Sequence, residues 1–498
     1  MKMKFSPIIV TLLLVAAVTS SCKKGFQEVN TDPNGTPNAL PQQLLAPALV
    51  NTVSPNMMRN RNFNNELMQV TVDASDAEGR VFRYDVKRTW ADYTWNAWYT
   101  QLVNFKDIYD IASKPETASK TYMGISLVCQ AWVYSLLTDT YGDVPYSQAL
   151  QGKEGNFAPA FDSQKDIYQD LFKKLEEADT LLAAAPNVLA ASDPIYGGNA
   201  AKWQKFGNSL YLRLLLRISG KAEASADAVA KIKDILGANA AKYPIMASND
   251  DSAILRWTGT GYLTSPFVGG VREQDWRAPD IAEFFINNLN KWQDPRLTNG
   301  RFSIGTYQGG YAGVPSGYAV GEPVVRKSYF LSTTSATTLM TEPLMGNIMN
   351  YSELQFILAE VAAKNWIPGS ANDYYKNGVQ AGITLWYPPA FDKTSIDNYL
   401  AAADLTWNDA ASLDQKMEQI HLQKYYSLFG TDFQQWFEYR RTGHPILPKG
   451  PGLVNGGVMP ARLNYPVYVQ SSNPDNYRAA VAAQGADDIN TKVWWQKP

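Results

Sequence analysis

Two cysteines and two histidines in 498 residues close off much of the chemistry a protein of this size could perform. Cys22 directly follows an N-terminal leader. Acylated there, it would leave Cys129 with no intramolecular partner, so stability has to come from packing and not from disulfides. Cys129 itself lies on an apolar helical stripe, where an inert buried thiol is expected. His421 falls on a helix and His444 precedes a proline, both positions of structural or surface residues. Two histidines leave no material for a zinc site built mainly from imidazole, no HExxH or CxxC spacing occurs, and no GxSxG elbow accompanies them. A surplus of charge is also missing. The 45 Lys and Arg nearly balance the 47 Asp and Glu and are scattered, which argues against nucleic acid or anionic lipid as a partner. Only one long apolar run is present, Ile8 to Val18, shorter than the roughly 20 residues that span a bilayer.

That run follows Lys2 and Lys4 and reaches Ser20-Ser21-Cys22, so residues 1–21 read as a secretory signal and Cys22 as the acylated first residue of a tether over 22–38. An ordinary signal peptide with an incidental cysteine is the plainer alternative. The body, 39–498, is expected to form a single domain held to the membrane by lipid.

What the chain has in quantity is helical periodicity and aromatic rings. From Met123 a strongly apolar helix carries Ile125, Val128, Cys129, Trp132 and Leu136 on one stripe and Leu127, Ala131 and Tyr134 on another, so neighbours must wrap it. It ends in the polar turn Thr138 to Tyr146, where Pro145 biases Val144 away from helical dihedrals. A first helix is expected over 39–58. Helix pairs are expected over about 92–138, 164–219, 348–386 and 412–442. The last pair has Gly430 as a left-handed terminator and Thr431 or Asp432 as the next cap. Between the second and third pairs, residues 243–347 are rich in Gly, Pro, Ser, Thr and Tyr. They hold one helix from Pro279 to Trp292 between two long polar loops, Trp257–Arg277 and Gly305–Glu322. Four pairs interrupted once predict a mainly α fold, a tetratricopeptide-like array with a loop-rich insertion forming the ligand face.

Several segments carry a family resemblance. LTDTYGDVPYSQAL at 137–150 resembles the signature of the SusD/RagB nutrient-binding outer-membrane lipoproteins. So do TDPN at 31–34, KWQKFGNSL at 202–210 followed by Arg213, DPRL at 294–297, NYSELQFILAEVAAKNW at 350–366, and the tail with Asp487-Asp488 and Trp494-Trp495. The resemblance implies a lipid-anchored outer-membrane protein on the cell surface that binds a nutrient noncovalently. It also implies a partner, a SusC-like TonB-dependent transporter that the protein covers as a lid. The ligand would be an oligosaccharide or polysaccharide, with a peptide or glycopeptide as the alternative. The 47 acidic residues leave a glycan-degrading lipoprotein open by count, and barrel association without any ligand would be a purely structural role.

The residues point the same way. Aromatic residues are 12% of the chain, with 14 Trp and 28 Tyr, and some fall in polar loops where no amphipathic stripe requires burial. A ring offers an apolar face to a sugar, and neighbouring polar groups bond its hydroxyls. Each ring covers about 50 Å² and contributes on the order of 1 kcal/mol. A millimolar site needs about 4 kcal/mol, so several rings are required and an extended oligomer is favoured. The expected ligand residues are Trp90 and Tyr93 beside the polar stretch 73–88, Tyr262, Arg272 and Trp276 in the second region, and Tyr311 and Tyr318 in the third, with Arg272 donating to oxygen acceptors. No catalytic residue and no cofactor are expected. Asp250-Asp251 and Asp487-Asp488 offer oxygens to a structural calcium ion, or simply face solvent in turns.

Overall fold

The computed structural model describes residues 39–298, 301–387 and 391–497; the signal, Cys22 and the tether lie outside the described residues. From Pro41 onward the chain forms one unit. Its longer helices are α1 Pro41–Arg59, α2 Trp90–Ala112, α3 Lys120–Tyr141, α4 Gln164–Leu182, α5 Ala200–Ile218, α6 Ala222–Lys233, α7 Glu283–Lys291, α8 Tyr351–Ala363, α9 Ala371–Trp386, α10 Lys393–Ala402, α11 Leu413–Ser427, α12 Gln434–Thr442 and α13 Pro474–Gln484. The fold is mainly α, with α2/α3, α4/α5, α8/α9 and α11/α12 as the four pairs of the array.

Every residue of α3 from Gly124 to Tyr141 is buried. A helix apolar on two faces leaves none for water, and α2, α4 and α5 all pack against it. Ser119 caps its start, accepting from the Tyr122 N–H at 3.3 Å. Gly142, at φ +82°, ends it. A side chain at that position would collide with Gln484.

The polar exit of α3 is buried as well, because its groups find protein partners. The Asp139 carboxylate accepts from Tyr168 Oη at 2.7 Å, from Trp495 Nε1 at 2.8 Å and from Arg217 Nη1 at 3.1 Å. Arg440 donates to the Asp139 carbonyl at 2.6 Å. Four distant segments therefore meet at one residue. Further buried ion pairs join the helix pairs: Arg213 to Glu353 at 2.6 Å, Arg217 to Glu438 at 3.3 Å, Lys424 to Glu438 at 2.7 Å and Arg441 to Glu360 at 2.7 Å.

The insertion is laced to the body by short antiparallel strands. Ala253–Leu255 pairs with Gly346–Met349 and brings its two ends together. Thr71–Val72 pairs with Asp280–Ile281. That pairing is why α7 starts at Glu283 and not at Pro279: Asp280 and Ile281 are extended in the ladder. A small second core of Val72, Phe82, Ala282, Val314 and Tyr318 sits beside it. Gly430 adopts φ +76° as expected, whereas α12 begins after Phe433 with no side-chain cap. Asp432 instead accepts from the adjoining Phe433 N–H at 2.6 Å. Among the described residues no helix is long and apolar enough to cross a membrane.

Asp139→Asn keeps the shape and removes the charge. Breaking a buried pair from one side costs about 3–5 kcal/mol. Arg217 keeps Glu438, so a loss near 3 kcal/mol is expected, about the lower end of that range. It should appear as a lower urea midpoint at unchanged m-value; an unmoved midpoint would remove Asp139 from its central place.

Candidate ligand-binding site

The strand pair Thr71–Val72 and Asp280–Ile281 sets two otherwise distant segments, 73–81 and 275–279, on either side of a cavity of about 330 Å³. The end of α1 supplies its third wall. There the helix widens into a π-type turn over Asn60–Asn64, a distortion often found at functional sites. Asn60 and Asn64 face inward, donating to the Asp432 carbonyl and to Gln435 Oε1, each at 2.7 Å. Arg61 and Asn62, between them, line the cavity.

Trp90, first residue of α2, lines the same cavity. Its ring centroid is 5.4 Å from that of Phe63, and the Arg59 guanidinium lies 4.7 Å from it. Arg59 also covers the Tyr93 ring at 4.3 Å, which joins the two aromatics into one surface. Arg61 donates to the Asp275 carbonyl, and its guanidinium stands 5.5 Å from the Trp276 ring. Burial holds the pKa values of both Arg59 and Arg61 below the usual arginine range. Across the cavity Arg80 pairs with Asp73. The Nε–H groups of Arg59, Arg61 and Arg80 are buried with no acceptor among the described residues. The floor is Glu66, which accepts from the Asp73 N–H at 3.1 Å and from Thr71 Oγ1 at 3.1 Å. Burial pushes its pKa up to about 8.

The seven residues expected from the sequence separate into groups. Trp90 and Tyr93, the latter 41% exposed, share Arg59. Arg272 is exposed and forms a two-pronged pair with Asp275 at 2.7 and 3.0 Å, so it reaches the cavity through that carboxylate. Tyr262, 58% exposed, stands in the turn Gly261–Leu263. Tyr311 is half-buried against the core, its carbonyl accepting from Asn290 at 2.9 Å. Two expectations need correcting. Trp276 is only 5% exposed, because its Nε1 donates to the Leu331 carbonyl at 2.8 Å and Phe267 packs on its ring at 4.8 Å. Tyr318 is 4% exposed, stacked on Phe82 at 5.4 Å and covered by Arg83 at 4.5 Å. These rings fasten the loops; they offer no open face. Arg59, Arg61, Glu66, Asp73 and Arg80 escaped the sequence reading. The run Arg59-Asn60-Arg61-Asn62, directly after an apolar helix, was the available signal.

Metal-ligating types gather elsewhere: atoms of Glu360, His421 and Glu438 lie within 4.8 Å of one another. Arg441, Lys364 and Lys424 already neutralise both carboxylates, and burial lowers the His421 pKa, so this cluster is an ion-pair network. Asp251 accepts from Lys205 at 2.9 Å, and Asp487 from Arg88 and the Tyr465 N–H.

A family model described as SusD-like, "Starch-binding associating with outer membrane", matches residues 33–466. The chain belongs to this SusD-like family. No curated protein matches the chain. Among solved structures, a chitin-binding protein shares 28% identity with a TM-score of 0.74, over 92% of this chain and 99% of that one. A SusD homolog from Bacteroides fragilis shares 24% at TM-score 0.75, over 92% and 99% of the two chains. A chitin-binding SusD homolog from Flavobacterium johnsoniae shares 21% at TM-score 0.75, over 92% and 98%. The last two establish a shared SusD-like fold.

Glu66 gives this cavity a pH signature. With its folded-state pKa near 8 and an ordinary value of 4.5, the native state holds a proton the unfolded chain releases. Stability therefore falls as pH rises between those values, by on the order of 4 kcal/mol. Glu66→Gln should flatten the difference between urea midpoints at pH 5 and pH 8; an unchanged slope would mean that Glu66 is ionised throughout.

Proposed function

We propose that this protein is a surface lipoprotein, anchored through Cys22, that captures an oligosaccharide in the Trp90 cavity and passes it to a SusC-like TonB-dependent transporter. The observation that carries the reading is the convergence of the Trp90 ring with Arg61, Arg80, Asp73 and Asp275 around one opening. An aromatic face takes the C–H face of a pyranose, while guanidinium donors and carboxylate acceptors take its hydroxyls. Arg59 holds Trp90 and Tyr93 in place, so little side-chain freedom is lost on binding.

Family membership supports binding over catalysis and an outer-membrane location. The chitin-binding neighbour at 28% identity makes an N-acetylglucosamine oligomer the first ligand to try. The buried helical array offers a rigid body for docking on a transporter, with the insertion turned to the ligand.

The test is titration calorimetry with N-acetylglucosamine hexamer. Trp90→Ala should weaken binding about tenfold, the equivalent of losing about 1.4 kcal/mol, and the hexamer should be recovered intact. Unchanged affinity in the variant, or shortened products, would contradict the reading.

A further inference from the structure

A second cavity, larger than the first at about 630 Å³, opens between α2, α3 and α4 and the segment after Pro145. Its size lies in the range of about 300–1,000 Å³ typical of small-molecule sites. It shares no lining residue with the Trp90 cavity.

Its floor is the stripe Leu127, Gln130 and Tyr134 on one face of α3. Tyr134 is 4% exposed, yet its hydroxyl has no hydrogen-bond partner among the described residues. Gln130 is 8% exposed; its amide nitrogen donates to Ser126 Oγ at 3.0 Å, and its amide oxygen has no donor among the described residues. Two largely enclosed side chains on the helix that organises the core thus present polar atoms to the cavity with no protein partner among the described residues, where a bound molecule can meet them.

The walls define that ligand. Tyr146 packs on Tyr134 with centroids 4.5 Å apart, and its hydroxyl donates to Asp170 at 2.5 Å; Tyr109 donates to Glu177 at 2.7 Å. Three rings therefore border a space edged by hydrogen-bonding groups. Five carboxylates (Asp110, Asp162, Asp166, Asp170 and Glu177) face three lysines, Lys106, Lys173 and Lys174. Two of those lysines are held by Asp110 at 2.5 Å and Asp170 at 3.6 Å. The remaining field is negative. It repels uronic acids and sulfated sugars and attracts an ammonium group.

We propose that this cavity is a second saccharide site, selective for sugars that carry a free amine, with Tyr134 and Gln130 bonding ring substituents and the surplus carboxylates taking the ammonium. It is independent of the Trp90 site and does not rest on it.

The probe is glucosamine trimer, measured by calorimetry on Trp90→Ala protein so that the first site does not contribute. Galacturonic acid trimer is the charge control. The expected result is binding of the amine trimer, weakened at least fivefold by Tyr134→Phe and by raising salt from 50 to 500 mM, with none of the acidic trimer. Because the Tyr134 hydroxyl has no protein partner, Tyr134→Phe should leave the melting temperature unchanged. Gln130→Met serves as the second variant, expected to weaken binding by a similar factor. No binding of glucosamine trimer, equal binding of the acidic trimer, or unaltered affinity in both variants would overturn the proposal. If N-acetylglucosamine hexamer still binds the unmodified protein in a Trp90-dependent way, only this second site is lost.

Discussion

The buried pair between Asp139 and Arg217 is the constraint on which the remaining architecture depends. Both side chains are withdrawn from water, and the cost of that withdrawal is offset in the measure that their lone pairs and N–H groups find partners. Tyr168 and Trp495 also bond the carboxylate, and Gln434 and Glu438 meet the guanidinium at Nη2 while its Nε–H has no acceptor among the described residues, so α4, α5, α12 and the C-terminal tail must all arrive correctly for the centre to form. Burial still raises the Asp139 pKa above the usual range despite those donors. The pair therefore acts as a registration device more than as a source of stability.

A stiff array allows irregular segments to be placed with accuracy. Arg213 with Glu353 and Arg441 with Glu360 tie the third helix pair to the others, and the insertion then leaves and re-enters through one short strand pair. The small ladder at Thr71–Val72 fixes where residues 275–279 stand relative to Trp90. Without it, residues some 200 positions apart would have no reason to share a cavity.

Much of the fold was legible in the sequence. Amphipathic stripes and the glycine at 430 marked the four pairs, because burial of an apolar face and a left-handed turn are local requirements. The polar exit of α3 is one departure: Thr138 to Asp143 have turn chemistry, yet they are buried, since their partners come from other segments, some of them more than 300 residues away. The site was legible in part. Trp90 and Tyr93 stand out at a helix start, whereas Trp276 and Tyr318 are indistinguishable in sequence from exposed loop aromatics. Contacts from distant segments, the Leu331 carbonyl and Phe267 for Trp276 and Phe82 and Arg83 for Tyr318, decide that they are enclosed. Arg59 and Arg61 were hidden for the opposite reason. An arginine at a helix end usually reaches solvent, and here a widened turn folds it over a tryptophan.

Ligand capture as proposed requires a sugar to rest on the Trp90 surface. A crystal structure of the protein soaked with N-acetylglucosamine hexamer tests this most directly. It should contain a pyranose stacked on the Trp90 ring, with hydroxyls within hydrogen-bond distance of Arg61 or Arg80. A hexamer bound in any other place, with the Trp90 cavity holding only solvent, would contradict it.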